Sequence, residues 1–133
     1  MPIKTKRWCV PAEPDDGFRV LVCRYRPRGL PKAKETWNVW ISDLAPSPDL
    51  FDAFYGKGRT PITLDVYRER YLQEMQAQRE HISALADRVD KGETVTLLCS
   101  KDCILEQICH RTLLAQLIEA ARRSRAPGVP TPP

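Results

Sequence analysis

Cys109, His110 and Arg111 place a thiol, an imidazole and a guanidinium in three consecutive residues. A thiolate is a nucleophile, an imidazole moves protons near neutral pH, and a guanidinium grips phosphate or carboxylate oxygens in pairs. Neighbouring cations lower a thiol's pKa, so Cys109 or His110 is the reactive group this triplet offers. Consecutive residues on an α-helix diverge by about 100°, so the two act as nucleophile and base only where a helix begins close to residue 109. The plain alternative for Cys109 is packing as a small hydrophobe.

Arg24, Arg26 and Arg28 alternate along the 24–31 segment, where Pro27, Gly29 and Pro31 forbid regular structure and let backbone approach an anion. With Arg111 they make a candidate anion site, Arg28 within Pro27-Arg28-Gly29-Leu30 being its strongest member. The competing reading pairs one or two of these arginines with Asp43 or Asp102 to tie loops down.

Cys99, Cys103, Cys109 and His110 are four soft ligands that could hold zinc, but they lack the two close pairs usual in structural sites. No metal or other cofactor is therefore expected, with zinc as the alternative. A cysteine, five residues and then an arginine would suggest a phosphatase, but Cys109 follows Cys103 at that distance and Leu105 follows Cys99. Neither a glycine-rich phosphate loop nor a dinucleotide fingerprint occurs. Trp8, Trp37 and Trp40 suit either base stacking or packing, and His81 lies off the apolar stripe of its helix, facing solvent.

These groups need elements to position them. Residues 3–10 alternate loosely and predict an edge strand, and 18–25 predict an inner strand because Val20, Leu21, Val22 and Cys23 run together as in a strand covered on both faces. Cys9 and Cys23, in or near these strands, are expected to pack as small hydrophobes. Residues 32–38 suggest a turn or short helix and 39–41 a brief strand. Ser47 and Pro48 open a helix to about Tyr55, closed by Gly56 and Gly58. Leu64, Tyr67, Tyr71, Met75, Ile82, Leu85 and Val89 recur at helical spacing and predict one long helix ending before Gly92. Residues 94–99 form a second inner strand, and 104–123 a last helix. Strands mixed with helices predict a single α/β domain over residues 1–125, with a small, largely parallel sheet flanked by helices, and a proline-rich, unfolded tail at 126–133. Both the 24–31 and the 99–102 loops would then lie at strand carboxyl ends, where such sheets bind ligands.

The chain has 133 residues, 42% hydrophobic and 29% charged, which fits a folded globular domain. No run of about 20 apolar residues predicts a membrane span, and no secretory signal is seen, so a cytoplasmic protein is expected. Five cysteines, an odd number, argue for reduced thiols rather than a disulfide framework. The net charge of +4 is unevenly spread: residues 1–34 carry nine cations and three anions, the remainder twelve and fourteen. A local basic surface suits a phosphorylated small molecule, a nucleotide or nucleic acid.

Lys6-Arg7, Asp16-Gly17-Phe18-Arg19-Val20-Leu21-Val22, Arg24, Pro27-Arg28-Gly29-Leu30, Trp40, Leu44-Ala45-Pro46-Ser47, Tyr67-Arg68-Glu69-Arg70-Tyr71, and Leu97-Leu98-Cys99 leading to Cys109-His110-Arg111 together resemble the YeaO-like family, a small bacterial and archaeal domain of unknown function (number 488). The resemblance covers most of residues 6–118 and implies a shared fold. It also marks two departures: Cys23 stands where the family usually has an acidic residue, and Arg26 where it usually has Trp. If that carboxylate is an acid or base in the family, this chain lacks it.

The reading that follows is an anion-binding crevice formed by Arg24, Arg26, Arg28, Cys99 and Arg111, with Cys109 or His110 acting on a phosphorylated small molecule or nucleotide. The alternatives are a non-catalytic nucleic-acid-binding module and a thiol-based metal or redox site.

Overall fold

The sheet is assembled out of chain order. In the computed structural model, which describes residues 3–56, 58, 60–99 and 110–123, the strands are β1 (Ile3–Arg7), β2 (Phe18–Leu21), β3 (Val39–Trp40) and β4 (Val95–Cys99). They pair in the order β1-β4-β2-β3, every pairing parallel. β4 and β2 are the inner strands, and their continuous apolar runs follow from having both faces covered. β1 is at an edge, as its looser pattern predicted.

Register sorts the side chains into two unlike faces, because strand neighbours alternate. Ile3, Val95, Leu97, Val20 and Val22 join the core with Leu44, Leu50, Tyr67, Tyr71, Leu114 and Ile118. Full burial of each such aliphatic side chain contributes about 1.5–3 kcal/mol. The opposite face carries Lys4, Thr96 and Arg19 in one row across three strands. Over them lies the short 3-10 turn Pro14–Asp16, fixed where the Thr96 hydroxyl donates to the Asp16 carbonyl at 2.7 Å. The turn exits through Gly17 at φ 65°, so close to β4 that a Cβ there would stand 2.3 Å from the Thr94 carbonyl oxygen. Only glycine fits.

Helix α1 (Pro48–Tyr55) begins as predicted: the Ser47 hydroxyl accepts from the Leu50 amide at 3.2 Å, and Gly56 closes the helix in the left-handed region. The single long helix of the sequence reading is two, α2 (Leu64–Met75) and α3 (Arg79–Asp90), separated by a 3-10 turn at Gln76–Gln78. No apolar residue larger than Ala77 lies between Met75 and Ile82, so the two stripes bury themselves separately and the exposed polar link tightens. Helix α4 (His110–Arg123) packs mainly on α3 and also meets β1 and β4.

The 18–25 strand is shorter than predicted, since beyond Leu21 the carbonyls of Val22 and Cys23 are taken by side chains rather than by a neighbouring strand. β1 likewise stops at Arg7, and this leaves Cys9 exposed rather than packed; Cys23 is half-buried. His81 is exposed as expected. Residues 100–109, with Cys103 and Cys109, and the tail lie outside the described residues. Among the described residues no helix is long and apolar enough to cross a membrane.

Candidate functional site

The carboxyl ends of the inner strands stand side by side. The Val22 amide donates to the Leu98 carbonyl at 2.9 Å, and the Trp8 amide donates to the Cys99 carbonyl at 2.8 Å. Cys99, 3% exposed, thus ends β4 beside β1, one residue beyond the last pairing of β4 with β2.

His110, on the first turn of α4, reaches this edge. Its Nε2 lies 2.7 Å from the Val22 carbonyl oxygen, which can only accept, so Nε2 carries the proton. The imidazole is buried beside the Tyr71 ring, centroids 5.8 Å apart, and the Tyr71 hydroxyl donates to the Leu44 carbonyl at 2.8 Å. Arg111 follows on the helix and is 2% exposed, a guanidinium held inside the domain. On the β3 side, the Trp40 indole N–H donates to the Cys23 carbonyl at 2.7 Å. The last two carbonyls of the β2 segment are thus closed by His110 on one side and Trp40 on the other.

The three alternating arginines do not converge. Arg24 donates to the Ala45 carbonyl at 2.9 Å and to the Pro46 carbonyl at 3.2 Å, and pairs with Asp43 at 3.4 Å. This is the loop-tying role that the sequence left open. Arg26 pairs with Glu35 at 2.7 Å and lies 6.0 Å from the Trp37 ring centroid. Arg28, after Pro27 and before Gly29 at φ 73°, is exposed and has no ion pair among the described residues. Of the predicted site residues, the structure brings His110 to the end of β2 and buries Cys99 at the end of the adjacent β4. Cys109 belongs to the residues not described. Among the described residues no three His, Cys, Asp or Glu side chains gather as a metal site, and two of the four ligands considered for zinc, Cys103 and Cys109, are not among them.

A second cluster escaped the sequence reading. The Asp16 carboxylate, wholly buried, accepts from Lys6 at 2.8 Å, Lys4 at 3.2 Å, the Glu13 amide at 3.0 Å, and Arg19. Burial alone would raise its pKa, but Lys6, the Glu13 amide and Lys4 outweigh it and hold the carboxyl well below the usual carboxylate range. The available signal was Arg19 set between Phe18 and Val20 in an inner strand: a charge there needs a buried partner.

A four-stranded parallel sheet with helices packed against it, His110 at the end of β2 and Cys99 at the end of β4 defines a small α/β domain. The chain belongs to the DUF488 family: the family described as the active DUF488-N3 subclade matches residues 3–122. It is 37% identical over 100 residues to the uncharacterized protein YeaO of Escherichia coli (strain K12), covering 75% of this chain and 84% of that one. To the uncharacterized protein Rv3073c of Mycobacterium tuberculosis (strain ATCC 25618 / H37Rv) it is 36% identical over 108 residues, covering 80% and 84%. No solved structure gives a significant match.

Proposed function

We propose that the protein binds a phosphorylated small molecule or nucleotide at the carboxyl edge of β2 and β4, with Arg28 as the outer cation and Arg111 as the inner one. His110 or Cys109 is the group that acts on the ligand. The observation that carries this reading is the His110–Val22 bond, which brings the start of α4 to the end of β2, where α/β sheets bind ligands. The description of the matched subclade as active supports turnover rather than binding alone. An odd number of cysteines supports a reducing, cytoplasmic setting.

The test is thermal denaturation with nucleoside phosphates and sugar phosphates at low and high salt. One class should raise the midpoint by several degrees in both, since a ligand at about 100 times its Kd adds about 2.7 kcal/mol. Arg28→Ala should remove most of that rise. A wild-type protein indifferent to every phosphorylated compound would end the proposal.

A further inference from the structure

Most cations of the basic N-terminal third are already engaged: Lys4, Lys6 and Arg19 by Asp16, Arg24 by the Asp43–Pro46 segment, and Arg26 by Glu35. Arg28, Lys32 and Lys34 differ. All three are exposed, and none has an ion pair among the described residues. They follow one another along the loop that leaves the ligand edge, Lys32 and Lys34 sharing the 3-10 turn Lys32–Lys34. Two aromatic rings border the same loop. Tyr25 is 72% exposed, and Trp40 is 40% exposed although its indole N–H is fixed to the Cys23 carbonyl, two residues before Tyr25. A ring held at its edge and open to solvent is a preset stacking surface.

We infer that this strip, Tyr25, Arg28, Lys32, Lys34 and Trp40, binds single-stranded nucleic acid and leads one of its nucleotides to the edge site; the inference rests on the proposed function only for that last placement. Three separated cations and two rings exceed what one phosphate and one base can engage, which favours a polymer over a free nucleotide. Duplex bases have both faces covered by their neighbours, so recognition by stacking selects unpaired ones.

The experiment is fluorescence anisotropy of the full chain with a labelled oligothymidylate of about fifteen nucleotides, and with the matching duplex, at about 50–300 mM salt. The single strand should bind more tightly than the duplex. Tyr25→Ala should weaken binding about five-fold or more through loss of stacking. Lys32→Gln combined with Lys34→Gln should lower the log–log salt slope by about 1.4, at about 0.7 per charge. Absence of oligonucleotide binding, equal duplex binding, or insensitivity to these substitutions would each overturn the inference. A thermal shift with a mononucleotide alongside any of those results would leave the edge site standing without the strip.

Discussion

At the scale of single residues, Asp16 and the edge side chains obey opposite logic. Asp16 is sealed among Lys4, Lys6 and Arg19, so its charge stabilises the fold rather than meeting a ligand. Its folded-state pKa is depressed, so the contribution is fully present above the unfolded value near pH 4 and is lost as pH falls below it. Asp16→Asn should cost about 3 kcal/mol at pH 7 by leaving the buried Arg19 guanidinium without its carboxylate, whereas Lys4 and Lys6 keep Asp15 and Glu13. Urea denaturation at pH 7 and pH 3 checks this, and the gap between variant and wild type should narrow at the lower pH. Cys109-His110-Arg111 and Pro27-Arg28-Gly29 stand out in the sequence because they are local patterns, and of these residues the structure brings His110 to the end of β2. Asp43 as a partner for Arg24 was also among the alternatives the sequence offered, but the two backbone acceptors of Arg24, 21 and 22 residues away, were not, because no side-chain pattern announces a carbonyl.

Among the elements, punctuation residues were the most readable. Ser47, Pro48 and Gly56 fixed α1 because capping and left-handed turns depend on neighbouring residues. The strand ends were less so: β2 stops where Trp40 and His110 replace a strand partner, a substitution decided by residues far along the chain. The break between α2 and α3 lay in the six residues between Met75 and Ile82, a step of seven positions that helical spacing alone bridges without a fault. Ser47 does more than cap. Its hydroxyl donates to Glu74 at 2.5 Å and its amide donates to the same carboxylate at 2.8 Å, joining the start of α1 to the end of α2. Ser47→Ala should therefore destabilise by about 1–2 kcal/mol, the upper part of the range for a lost cap, as read from the midpoint of chemical unfolding.

For the whole molecule, the sheet's exposure pattern orders the thiols. Cys9 is exposed and Cys99 buried. A maleimide followed by peptide-resolved mass spectrometry should label Cys9 in the native protein quickly, while Cys99 reacts only through opening of the sheet, at a rate that rises with urea. Comparable labelling of both in native buffer would contradict the central position of β4. That position has a further consequence for how the protein is made. β1 and β2 both rest on β4, and residues 3 and 95 are register partners. β1 and β2 thus lack this central neighbour until the chain has grown past Cys99, so the sheet closes late, through contacts of long sequence separation, a topology that folds slowly and leaves strand edges open on the nascent chain.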